Sequence, residues 1–123
     1  MECRCVRGAT TVNENTEEAI LASTQEMLME MIATNKIDHS EISAIFFTAT
    51  KDLDNAYPAR AAREIGFTDI ALMCMQEMNV ADSLPMCIRV TIMWNTHKEL
   101  NELIHIYLRG AKILRPDIMK GNK

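Results

Sequence analysis

The chain has 123 residues, of which 48% are hydrophobic and 24% charged, with a formal net charge of -4. That length fits one domain spanning residues 1–123 with a packed core. The mildly acidic balance excludes a general nucleic-acid binder, and no apolar run approaches the roughly 20 residues of a membrane span.

Residues 3–9 alternate, with Cys3, Cys5 and Arg7 on one side and Arg4 and Val6 on the other, which predicts a strand. Gly8 permits close backbone approach at that point. Met1 to Gly8 lacks the apolar core of a signal peptide, so the protein is expected to be cytoplasmic, with its thiols reduced. Asn15 and Thr16 are N-cap candidates, and Glu17 and Glu18 suit the first turn of a helix. Ile20, Leu21, Thr24, Leu28, Met31 and Ile32 then recur at helical spacing. One long helix is predicted from about Thr16 to Thr34, with Asn35 as its stop.

Ile42 to Thr50 is a nearly continuous apolar run and predicts a buried strand. Pro58 suits the first turn of a short helix ending near Gly66, on which Arg60 and Arg63 share a face. Ile70 to Cys74 reads as a short strand and Gln76 to Pro85 as a polar loop. Met86 to Trp94 is the clearest strand: Ile88, Val90, Ile92 and Trp94 share one face, and Cys87, Arg89, Thr91 and Met93 the other. Ile104 to Arg109 alternates again. The predicted fold class is α+β, a mixed β-sheet packed against one long helix.

Arg7 and Arg89 stand in mid-strand among small, weakly polar residues. An unpaired buried charge is costly, so each calls for a carboxylate partner. The pattern leaves open whether that carboxylate belongs to the protein or to a ligand, since the guanidinium fork matches either. Arg60 and Arg63 alone read as a solvated helix face. His39, His97 and His105 are scattered in polar surroundings and read as surface or hydrogen-bonded residues. Cys3, Cys5, Cys74 and Cys87 lack the spacing of a metal site and read as small buried or half-buried apolar residues, and the ten methionines suit irregular packing. No G-x-S-x-G, Walker loop or dinucleotide fingerprint is present, so an enzyme of this sequence would work by electrostatics and positioning.

Several segments resemble chorismate mutases of the AroH class. They are Val6-Arg7-Gly8-Ala9-Thr10-Thr11-Val12, Asn15-Thr16-Glu17-Glu18, the run Tyr57 to Glu64, Cys74-Met75-Gln76-Glu77-Met78, Cys87-Ile88-Arg89-Val90, His105-Ile106-Tyr107-Leu108 and Leu114-Arg115-Pro116-Asp117. They span nearly the whole chain in family order. Tyr57, Arg60 and Met73 stand where the family pattern has phenylalanine, lysine and threonine.

The resemblance implies a homotrimer forming a pseudo α/β barrel, with active sites between subunits. It implies conversion of chorismate to prephenate in phenylalanine and tyrosine biosynthesis, without cofactor, metal or covalent step. By the same resemblance Arg89 would donate to the ether oxygen and a carboxylate of the substrate. Arg7 and Tyr107 would bind the side-chain carboxylate, and Glu77 and Cys74 would meet the hydroxyl. Tyr57, Ala59, Arg60, Arg63, Leu72 and Met73 would come from the adjacent subunit, and Leu114 and Arg115 from a tail acting as a partial lid. A non-catalytic trimeric metabolite-binding protein is the alternative, because fold does not fix function.

Overall fold

The structure, a computed structural model, describes residues 1–115. Pro116 and Asp117, part of the predicted tail motif and lid, lie outside the described residues.

The elements in chain order are β1 (Glu2–Thr11), α1 (Glu17–Asn35), β2 (Ile42–Ala49), α2 (Pro58–Glu64), β3 (Ala71–Gln76), β4 (Cys87–Thr96) and β5 (Ile106–Tyr107), with short 3-10 turns at His39–Glu41, Leu100–Glu102 and Arg109–Leu114. Thr16 caps α1 as expected, its hydroxyl accepting from the Ala19 N–H at 3.1 Å. The helix ends at Asn35, as expected. Lys36 adopts the left-handed conformation (φ 57°), and the Ile37 N–H closes back to the Ile32 carbonyl at 3.0 Å. The buried Asn35 amide also ties this helix end to the segment before β5. It donates to the Ile104 carbonyl at 2.8 Å and accepts from the Ile104 N–H at 2.9 Å.

The five strands form one mixed sheet in the order β3-β2-β4-β1-β5. β4 lies antiparallel between β1 and β2, while β3 and β5 run parallel to β2 and β1 at the two edges. One face of the sheet is the core: Val6, Ile45, Phe47, Ile88, Val90 and Ile92 are buried with Ile20, Met27, Leu28 and Met31 of α1. Gly8 is where the two layers press closest, since a Cβ there would collide with the Met31 sulfur and lie 3.1 Å from Val90 Cγ1. Pro58 opens α2, whose Ala59, Ala61 and Ala62 are small enough to pack it tightly.

Strand alternation puts Arg7, Phe46, Thr48, Met73, Met75, Arg89, Thr91 and Met93 on the opposite face, where they are half-buried or exposed. Among the described residues its corner at Ala9 is covered by Tyr107, Ala111, Leu84 and Leu114, while Cys3 and Cys5 further along β1 are exposed and not half-buried as expected. β5 is shorter than the alternation from Ile104 to Arg109 predicts. Asn35 holds Ile104 away from β1, and Arg109 turns off with φ 51°. No helix among the described residues is long and apolar enough to cross a membrane.

Candidate active site

The open sheet face gathers the charged residues. One row across it runs Tyr107, Ala9, Arg89 and Thr48, and Arg7 lies one row further along β1 opposite Thr91. Arg89 therefore sits at the middle of the sheet, held by pairing on both sides. Its side chain is 34% exposed, enough for a ligand to reach it.

Glu77 follows β3 directly. Its backbone N–H bonds the Ala49 carbonyl at 3.0 Å, which carries the ladder one residue past the strand and points the side chain inward. One carboxylate oxygen lies 3.2 Å from Arg89 Nε and accepts from the Thr48 hydroxyl at 3.3 Å. The other accepts from the Met78 N–H at 2.9 Å. Distance alone makes Arg89 and Glu77 an ion pair. The Nε–H nevertheless does not point along that line, and Nε is buried without an acceptor among the described residues. A charged donor left unspent out of water is costly, so the geometry suits an acceptor supplied from outside the chain.

Tyr107 is buried at the β5 edge against Ala9 and Ala111, while Arg7 is exposed. The Arg7 backbone N–H donates to His105 Nδ1 at 2.9 Å. Burial, and then the Arg7 charge, lower the His105 pKa. Leu114 packs on the Tyr107 cluster, and Arg115 lines a cavity of about 520 Å³ with Tyr107, His105 and Glu30. Glu77 lines a smaller cavity of about 230 Å³ under the loop from Met78 to Pro85.

The remaining predicted residues lie around α2. Tyr57, Arg60 and Cys74 line a third cavity of about 540 Å³, with Glu17 and Gln76. The Ala59 N–H donates to Cys74 Sγ at 3.3 Å, so the thiol faces α2 and not Arg89. Burial raises the Cys74 pKa, against a downward pull from that N–H and from Arg63. Arg60 bonds Glu17 at 2.7 Å and Glu64 at 3.1 Å, and these carboxylates raise its pKa further, Glu17 first. Arg63 and Met73 are exposed, and Leu72 is half-buried against the core. One chain thus brings Arg7, Glu77, Arg89 and Tyr107 to one face and sets Tyr57, Ala59, Arg60 and Cys74 apart from them.

Two site residues were not singled out in the sequence. Thr48 was hidden within an apolar run, although its hydroxyl in mid-strand was a signal. His105 is hydrogen-bonded, as its setting suggests, but only the structure shows that its partner is the Arg7 backbone. The gathered groups are cations, one carboxylate and a phenol, a set whose chemistry suits an anionic small molecule held by charge and position.

Comparison with known proteins agrees with that class of site. The profile of the chorismate mutase type I family matches residues 3–118. A Thermus thermophilus protein named chorismate mutase AroH is 46% identical over 116 residues, covering 94% of this chain and 95% of its own length. Its namesake from Bacillus subtilis (strain 168) is 39% identical over 119 residues, covering 96% and 94%. The solved structure of a chorismate mutase from Clostridium thermocellum superposes with a TM-score of 0.88 at 50% identity, covering 89% of this chain and 98% of that one. The chain belongs to the chorismate mutase type I family.

Proposed function

We propose that this chain converts chorismate to prephenate by electrostatic stabilisation at a site centred on Arg89. The reaction is an intramolecular rearrangement. An ether C–O bond breaks as a C–C bond forms, no atom enters or leaves, and negative charge gathers on the ether oxygen. A fixed guanidinium beside that oxygen favours the transition state over the ground state. The observation that carries this role is the buried Arg89 Nε, 3.2 Å from Glu77 yet without a hydrogen-bond acceptor among the described residues. Glu77, held by Thr48 and Met78, would accept from the substrate hydroxyl and face the ring as it gains positive character. Arg7 and Tyr107 would take the side-chain carboxylate. The test is a dialysed sample with chorismate and no added metal or nucleotide. Prephenate should accumulate, and a chain that binds chorismate without turning it over would restore the metabolite-binding alternative.

The proposed assembly is a homotrimer with sites between subunits. Supporting it are the division of the site residues among separate cavities and the exposed apolar side chains of Met73, Met75, Met78 and Val80 near the open face. Two variants disabled in different halves, Arg89→Ala and Arg63→Ala, provide the test. Mixed and reassembled, they should regain activity at about one quarter of the sites, the share of interfaces in which both halves are intact. No recovery, or a fully active monomer in sedimentation, would defeat the intersubunit site. The cytosol is the proposed compartment, supported by four free thiols.

A further inference from the structure

The β1–β5 edge is unusually short for the work assigned to it. Only Gly8 with Ile106 and Ala9 with Tyr107 are paired in parallel, yet this edge positions both Arg7 and Tyr107. The strand cannot extend backward, because Asn35 of α1 takes both the N–H and the carbonyl of Ile104. The Arg7 N–H would then have no backbone acceptor. The His105 ring fills that place, its Nδ1 accepting from the Arg7 N–H at 2.9 Å. An acceptor at Nδ1 requires that nitrogen to be unprotonated.

We propose that His105 is a positioning residue whose unprotonated Nδ1 fixes the edge carrying Arg7 and Tyr107, so that acid releases it and weakens capture of the substrate carboxylate. The role rests on the chorismate mutase reading, but the contact itself does not. The charged and titratable groups around the ring are Arg7 of β1, Glu30 of α1, Tyr107 of β5 and Arg115 after the last 3-10 turn. Burial and, after it, the Arg7 charge oppose a proton on the ring, so the direction is toward the neutral imidazole. Below its folded pKa the ring would carry a proton where the Arg7 N–H needs a lone pair. It would also set a like charge beside the Arg7 guanidinium.

The experiment compares wild type, His105→Asn and His105→Ala. The Asn Oδ1 sits on Cγ as Nδ1 does in His, so it can accept from Arg7 but cannot titrate. At pH 8 the Ala variant should show KM raised about fivefold with kcat nearly unchanged, the size of one lost hydrogen bond, and Asn should restore it. As pH falls through the folded pKa of His105, which lies below the ordinary value of about 6.5, wild-type kcat/KM should drop relative to the Asn variant. An Asn variant with the same acid limb as wild type would overturn the titration. Amide exchange at residue 7 and the ring ¹⁵N shifts of His105 are read alongside, because neither depends on turnover. Protection at residue 7 should fall in Ala and persist in Asn, with Nδ1 unprotonated in wild type at pH 8. Equal protection in Ala, or a proton on Nδ1, overturns the proposal whatever the substrate. The expected exchange and shifts without any turnover would instead sink the substrate assignment alone. If the Ala variant does not fold, the Asn variant and the wild-type ring shifts still decide the matter.

Discussion

Replacing Arg89 by alanine should separate catalysis from folding more sharply than any other single change. Removing one neutral oxyanion donor costs about 10²–10³ in kcat, or about 2.7–4 kcal/mol. Arg89 brings a charged donor, and charge-assisted hydrogen bonds are roughly twice as strong, so a loss of about 10⁴–10⁶ is expected. The fold should survive. β4 stays paired with β1 from Glu2 opposite Thr96 to Thr11 opposite Cys87, and its core side chains Ile88, Val90 and Ile92 are untouched. Glu77 keeps its bonds from Thr48 and from the Met78 N–H. Because the Arg89 and Glu77 side chains are 34% and 26% exposed, water screens the lost pair. The stability change should stay within about 1 kcal/mol, or a Tm shift of about 5 °C. Arg89→Lys retains the charge without the fork and should fall between. The measurement is kcat by chorismate depletion beside a circular-dichroism melt. A kcat within tenfold of wild type, or activity lost only in step with folded fraction, would refute the role given to Arg89.

Glu77→Gln keeps an acceptor for Thr48 but removes the negative charge 3.2 Å from Arg89 Nε; kcat should fall at least about tenfold, and an unchanged kcat would reduce Glu77 to a structural partner. Gly8→Ala should destabilise by about 1–3 kcal/mol in urea, because the new methyl meets the fully buried Met31 and Val90 Cγ1, and a neutral result would mean the layers can part. Burial raises the thiol pKa of both Cys74 and Cys87, so in the folded protein at pH 8 they should alkylate far more slowly than after unfolding, as peptide mapping would show. His105 has a lowered folded pKa, so its contribution to stability is complete above about 6.5 and declines as the pH falls and the unfolded chain binds the extra proton. The wild-type urea midpoint should accordingly drop between pH 8 and pH 5.5 by more than that of His105→Asn.

Local signals made much of the fold legible. The Thr16 cap, the carboxylates after it and the apolar spacing located α1, and the alternation from Cys87 to Trp94 located β4 and assigned its faces. Long-range partners account for the misses. Asn35 ends α1 as its residue type suggests, but nothing local signals its side-chain contact with Ile104, 69 residues away. The same contact trims β5. β3 begins one residue later and ends two residues later than its composition suggested, because its extent is set by pairing with β2, from Ala44 opposite Ala71 to Ala49 opposite Gln76. Strand order was not legible, since no local pattern says that β2 pairs in parallel with β3 across α2.

Parity explains how the site divides. Along β3, Met73 and Met75 pair with Phe46 and Thr48 and so share the Arg89 face, while Leu72 and Cys74 turn toward α2 and the core. Adjacent residues of one strand point to opposite sides, so a ligand resting on the face of this sheet cannot touch both Met73 and Cys74. A ligand at the rim of an edge strand can, because the two faces meet there, and β3 is an edge strand in the described sheet. Tyr57 lies at the start of α2, lines the same cavity as Cys74 and is 73% exposed. An unpaired strand edge flanked by exposed methionines and a tyrosine is a surface prone to meeting another chain. The proposed neighbour would therefore meet this chain along β3, joining its own Arg89 face to the Tyr57 and Cys74 cavity. Mixing the two disabled variants asks that question directly, since a site complete within one chain could not be rescued by another.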